Sequence, residues 1–305
     1  MSQPTPQNPG LLNWALLVFL GLVWGAAFMS VRVALDGFGP WTVAAGRTLL
    51  GAIVLCGIGS LMGQGLSRIP SPRAWVYCAV LGVGAIALPF SLLSLGQQYV
   101  PSAFAGVAMG AVPLMILPLV AIFSPEEGIG PRRIAGMCIG FVGLVILIGP
   151  GALDSTGNPN ESFGRFACLG AAACYAVGSV ITRRAPKMPP IAFAAATLTV
   201  AAATTVPIGL ILEGVPQNWP ALPLSGLIYA ALLPTALAAV IRVRIITTAG
   251  SLFMSLVSYI VPVCSVILGI TLLGEELPSQ LYLALAIILG GIGLSQSRAL
   301  RKMFK

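Results

Sequence analysis

Histidine is absent from this 305-residue chain, and 16 basic and eight acidic side chains are its only formal charges. A soluble domain carries about a quarter charged residues. At 8% charged, this chain could not cover itself with polar surface. The missing histidine removes metal–His and Ser–His chemistry, and no pair of carboxylates falls mid-way along an apolar run to support an aspartyl mechanism. No catalytic residue is therefore expected. Six cysteines (Cys56, Cys78, Cys138, Cys168, Cys174 and Cys264) all fall inside apolar runs, with no C-x-x-C pair. They read as small hydrophobes between helices, so neither a metal site nor a cofactor is expected. The net charge of +8 raises the question of nucleic acid. The basic residues, however, sit in short loops between apolar runs, where membrane orientation explains them, so no nucleic-acid partner is expected.

What the chain does have is hydrophobicity: 57% apolar residues and a mean hydropathy of +0.98. The runs are long and rich in Gly and Pro, which indicates helices. A barrel would show short alternating strands. Each crossing needs about 20 mainly apolar residues. Ten segments qualify, at 12–33, 40–62, 74–97, 102–123, 132–149, 163–182, 190–212, 222–243, 249–271 and 280–297. Residues 1–11 hold no basic residue, and the run after them is too long for a signal-peptide core, so no cleaved signal is expected. Residues 150–162 form the longest loop and divide the chain into a first half at 12–149 and a second at 163–297, followed by a basic tail at 298–305.

With ten crossings both termini lie on one side. That side collects 13 of the 16 basic residues, including Arg242 and Arg244 at the turn expected after segment eight. Cytoplasmic loops collect Lys and Arg, so both termini are expected in the cytoplasm and the 150–162 linker outside. The halves also match. Pro113 with Glu126–Glu127 returns as Pro262 with Glu275–Glu276, since 262−113, 275−126 and 276−127 all equal 149. Five crossings separate the copies, so the second half is inverted. The expected fold is an all-α integral membrane protein of ten transmembrane helices arranged as two inverted five-helix repeats, an architecture of secondary transporters.

The chain resembles the EamA-type branch of the drug/metabolite transporter superfamily. Trp24–Gly25 with Phe28 (LVWGAAF), Arg47 early in the second helix (AAGRTLL), and the run from Ala249–Gly250–Ser251 through Pro262 to Leu273–Gly274–Glu275–Glu276–Leu277 carry the likeness. It covers nearly the whole chain. The first copy departs from the family pattern at Ser124–Pro125–Glu126–Glu127, where the Gly before Glu is missing. The resemblance implies a carrier of small organic solutes, often an exporter of amino acids or other metabolites, in a bacterial-type inner membrane.

A carrier needs a polar-lined cavity near the midplane. Ser251, Ser255, Ser258, Tyr259 and Pro262 share one helical face, and 149 positions earlier Ser102, Gly106, Met109, Gly110 and Pro113 do the same. Each proline removes a backbone hydrogen bond, so Pro113 and Pro262 are expected hinges. The alternative for the small residues is close helix packing. Trp24 and Phe28 in helix one, Tyr175 in helix six, and Ser91 and Ser94 in helix three complete the expected lining, with Met109. Arg47 is the one basic residue well inside an apolar run; it could hold a solute carboxylate or bond helix-end carbonyls. The glutamate pairs are expected to stabilise helix ends. No carboxylate lies well inside a helix, so transport is expected without a dedicated proton-carrying carboxylate. A channel would show a ring of charge, and a scaffold a dry interface between helices four and nine. The expected partners are a small-molecule solute and the lipid bilayer, and a monomer is compatible with the chain.

Overall fold

The computed structural model describes residues 9–100, 102–148, 157–273 and 280–297. Glu275–Glu276, residues 1–8 and 298–305, and the first part of the 150–162 linker lie outside the described residues. Ten helical rods run through the rest. α1 spans Gly10–Leu35, α2 Pro40–Leu61, α3 Pro72–Gly96, α5 Pro131–Ile148, α6 Glu161–Arg184, α7 Pro190–Leu212 and α8 Ala221–Ala249. α4 is built from Ser102–Gly110 and Val112–Phe123, α9 from Ser251–Ser255 and Val257–Leu273, and α10 is Leu281–Ser295. Among the described residues, eight helices are long and apolar enough to cross a membrane, and Ser251–Cys264 and Tyr282–Ser295 are shorter apolar stretches. Large apolar side chains cover the outside: Ile53, Phe166 and Leu289 are 59%, 73% and 62% exposed, a surface suited to lipid and not to water.

Proline starts α2, α3, α5 and α7, where its fixed φ fits a first turn and its missing N–H costs nothing. Gly250 ends α8 at φ 97° and ψ 163°, a conformation only glycine adopts readily, and α9 begins at the next residue. One boundary differs from expectation. α8 runs six residues past the expected end at 243, because nothing breaks the helix before Gly250. Arg244 therefore belongs to the helix and not to a loop, and Arg242, expected at the helix edge, lies two turns inside its end.

The packing has an internal pattern. α2 lies along α7, and α5 along α10; α1 packs on α8 and α9, while α6 packs on α3 and α4. Exchanging each helix for the one five later maps this set of pairs onto itself. The α5–α10 contact is backbone on backbone: a Cβ added to Gly291 would sit 2.5 Å from the Gly140 nitrogen and 2.6 Å from the Gly136 oxygen. Small residues allow such approach where no water is present to drive association.

Helix ends meet in two groups. At one, α1 begins beside the junction of α8 and α9: Trp14 stacks edge-on against Phe253 at 4.8 Å, and the Thr248 hydroxyl donates to Asn13 Oδ1 at 3.1 Å. At the other, the end of α7 meets the start of α2 through Glu213, which accepts from the Trp41 and Thr42 N–H groups at 3.0 and 2.8 Å.

Candidate solute cavity

α3 and α8 each contain one π-helical stretch, at Val83–Ala87 and Leu232–Leu237. Their starts differ by 232−83 = 149, the same interval as the proline pair. A π-turn widens the helix and leaves a carbonyl without its ordinary partner, which is why such turns gather at functional sites. Here Trp24 Nε1 donates to the Pro234 oxygen at 2.9 Å, and Thr235 Oγ1 donates to the Ala230 oxygen at 2.7 Å.

These stretches border a cavity of about 190 Å³. Its wall draws equivalent positions from both halves of the chain: Ala85 with Pro234, Ile86 with Thr235, Gly106 with Ser255, Met109 with Ser258 and Val112 with Val261, each pair 149 apart. Trp24 and Tyr175, at an interval of 151, also line it. Met109 and Ser258 precede Pro113 and Pro262 by four residues. Their carbonyls are those that the prolines leave without a helical N–H, so the weakened turns lie on the wall itself.

Of the residues expected from the sequence, the cavity gathers Trp24, Arg47, Ser94, Met109, Tyr175, Ser255, Ser258 and Pro262. Four lie elsewhere. Ser91 is buried outside the wall, as is Pro113, one residue beyond the lining Val112. Tyr259 turns towards α5, where its ring meets Gly140 and its hydroxyl donates to the Met137 oxygen at 2.6 Å. The cause is local. Leu256 N–H bonds to the Phe253 oxygen and Tyr259 N–H to the Leu256 oxygen, both tightened three-residue steps that rotate the following residues off the ideal face. Ser251 is likewise not in the wall, being engaged by Glu127. Phe28 belongs to α1, and its side chain is outside the described part of the structure.

Polar groups in an otherwise apolar wall define its chemistry. Arg47 is only 7% exposed; its Nε donates to Thr235 Oγ1 at 3.3 Å and its guanidinium stacks over Phe90 at 4.0 Å. Arg242 Nη2 donates to Ser179 Oγ at 3.1 Å. Tyr175 lies within electrostatic reach of both guanidiniums. Ser94 Oγ and Gln97 Oε1 are buried with no hydrogen-bond partner among the described residues. Arg242, Ser179, Thr182, Thr197 and Thr235 were not foreseen as lining. The threonines gave no signal, since each hydroxyl also bonds its own helix backbone, and Arg242 was hidden by its assignment to a helix edge. Arg183, by contrast, is structural: almost fully buried, it donates to the Thr247 oxygen at 2.8 Å near the carboxyl end of α8, where a cation suits the helix dipole.

A bundle with a lipid-suited exterior and a solute-sized internal cavity walled by both halves is a membrane protein of the transport class. Residues 12–149 and 162–296 each match the EamA-like transporter family, and the chain belongs to that family. It is 29% identical over 285 residues, 91% of its own length and 88% of the other's, to the inner membrane transporter YedA of Escherichia coli strain K12. It is 24% identical to a probable terminal-alkyne amino-acid exporter of Streptantibioticus cattleyicolor, over 94% of both chains. A crystal structure 24% identical in sequence superposes with a TM-score of 0.77, covering 94% of this chain and 97% of the other, a likeness of fold.

Proposed function

We propose that the protein is a secondary transporter, working as an exporter, of a small organic metabolite such as an amino acid, by alternating access through the central cavity. The observation that carries this reading is the pairing of cavity positions at one fixed interval, 149, from α3 and α8 and from α4 and α9. Two copies of one unit bordering a single site let either copy open while the other stays closed. Ten crossings, with α9 and α10 counted as spans, would set the second repeat inverted against the first.

On this reading the repeats are residues 12–149 and 163–297, the 150–162 linker is extracytoplasmic, and both termini are cytoplasmic in a bacterial-type inner membrane. The 13 basic residues assigned to one side support that orientation, although Arg242 now serves the cavity. Pro113 and Pro262 act as hinges, and Trp24 and Tyr175 contact the solute. Transport proceeds without a proton-carrying carboxylate: among the described residues no Asp or Glu borders the cavity. The role is transport and not catalysis.

The test is counterflow. Proteoliposomes loaded with one metabolite should accumulate the labelled form of the same metabolite transiently and saturably, and cells overexpressing the protein should tolerate or release it. Non-saturable flux would instead indicate a channel, and no flux for any metabolite would remove the transport reading.

A further inference from the structure

We infer that the cavity selects a net-anionic organic acid, clasped between Arg47 and Arg242, over a zwitterion of the same shape. The inference rests on the reading of this cavity as the transported solute's site and adds the charge of that solute.

Arg47 enters from α2, seven residues after its first, and Arg242 from α8, seven before its last. Each half of the chain thus supplies one guanidinium to the same wall. Their hydrogen-bond partners there are neutral hydroxyls, Thr235 Oγ1 and Ser179 Oγ, and the Phe90 ring beneath Arg47 is neutral as well. The described carboxylates with assigned partners are used elsewhere: Glu127 on the start of α9, Glu213 on the start of α2, and Glu161 with Arg165. Two arginines without a facing carboxylate in an apolar wall are costly, and such residues mark substrate paths. Each guanidinium has five donors and a geometry matched to carboxylate.

Charge arithmetic discriminates among solutes. An empty cavity carries two positive charges; a zwitterion leaves both, a monoanion leaves one and a dianion leaves none. A zwitterion's ammonium would meet two guanidiniums and no compensating carboxylate in the wall among the described residues, only neutral oxygens and ring faces. Ser94 Oγ and Gln97 Oε1, buried and unpartnered one and two turns beyond Phe90 on α3, supply neutral hydrogen bonds to a polar substituent of the same solute. Trp24, Phe90, Tyr175 and Phe193 leave room for an apolar or aromatic body.

Thermal stabilisation of the purified full chain by 3-phenylpropanoate, phenylsuccinate and phenylalanine compares one, two and no net negative charges on one aromatic frame. The expected order of affinity is phenylsuccinate, then 3-phenylpropanoate, then phenylalanine, with at least tenfold between first and last. Arg47→Gln and Arg242→Gln should each weaken phenylsuccinate at least fivefold. Arg47→Lys and Arg242→Lys, which keep the charge, should lose less, and Arg244→Gln, on the exposed face of α8, should lose nothing. Phenylalanine binding as tightly as the anions, no binding by any of the three, or indifference to both glutamine substitutions would overturn the inference. Counterflow separates the two readings. Exchange of a zwitterion alone defeats the charge assignment and leaves transport standing, whereas anion binding without any exchange defeats transport.

Discussion

The carboxylate of Glu127, in the loop after α4, accepts hydrogen bonds from the backbone N–H of Ser251 at 3.1 Å and from its hydroxyl, while its second oxygen accepts from the N–H of Leu252 at 2.9 Å. One buried side chain thus satisfies the open donors at the start of α9 and ties the first half of the chain to the second. Glu127→Ala strands those donors in a buried site, and unfolding free energy in detergent should fall by about 1–3 kcal/mol. Glu127→Gln keeps one acceptor oxygen and should lose less. Equal melting temperatures for the wild type and Glu127→Ala would show that the contact contributes nothing.

Glu213 makes the corresponding bond at the other group of helix ends, receiving the Trp41 and Thr42 N–H groups and the Thr42 hydroxyl. It is exposed, so water can replace it. Glu213→Ala should therefore destabilise less than Glu127→Ala, near the roughly 1 kcal/mol typical of a lost helix cap. The reverse order in thermal melts would contradict the burial argument.

Gly136 and Gly291 hold α5 and α10 at backbone contact. Gly291→Ala places a methyl group 2.5 Å from the Gly140 nitrogen, and Gly136→Ala places one 2.5 Å from the Gly291 oxygen. Backbone cannot yield as a side chain can, so the helices must separate, and each substitution should destabilise by about 1–3 kcal/mol. Gly290→Ala has nothing within 4 Å of the new atom and should be neutral or slightly stabilising. Thermal unfolding of the three variants compares the predictions directly.

The sequence reveals helices better than faces. Apolar runs of about 20 residues have few alternatives to a spanning helix, and Pro40, Pro72, Pro131 and Pro190 mark starts because a first helical turn tolerates them. The interval of 149 is equally plain in the chain. What it does not display is rotation: no Gly or Pro announces the tightened steps at Leu256, so the spacing puts Tyr259 on one face with Ser255, whereas it packs on α5. The π-stretch in VGAIA is also silent, because those residues suit an ordinary helix. Arg242 was lost for another reason. Basic residues mark cytoplasmic ends on average, and a cavity that needs cations inside the bundle breaks that average.

Trp24 reaches the carbonyl that the π-stretch of α8 exposes at Pro234, while its ring borders the cavity. Trp24→Phe retains the aromatic surface and deletes the donor. The bond lies within the protein, so its loss should lower folding stability by about 1 kcal/mol. Trp24→Ala, which also removes the ring, should lose more. A melting temperature unchanged in Trp24→Phe would show that the bond contributes nothing to the fold.

Proton coupling is the sharpest functional expectation, because it follows from which groups can carry a proton at the solute's level. A carrier driven by protons needs a side chain that titrates near physiological pH and is exposed to each side in turn, commonly Asp, Glu or His inside the membrane. This chain has no histidine, and the described carboxylates stand apart from the cavity wall. Ordinary thiols and phenols titrate at about pH 8.5 and 10, too high for that duty. An imposed pH gradient should therefore drive no solute accumulation in proteoliposomes, a protonophore should leave counterflow rates unchanged, and Asp36→Asn and Glu213→Gln should alter neither result. Flux would instead follow the solute's own gradient. For an anionic solute it would also respond to membrane potential, so a potassium diffusion potential should shift the distribution while a pH step does not. Robust accumulation driven by the pH step alone would show that a proton passes with the solute.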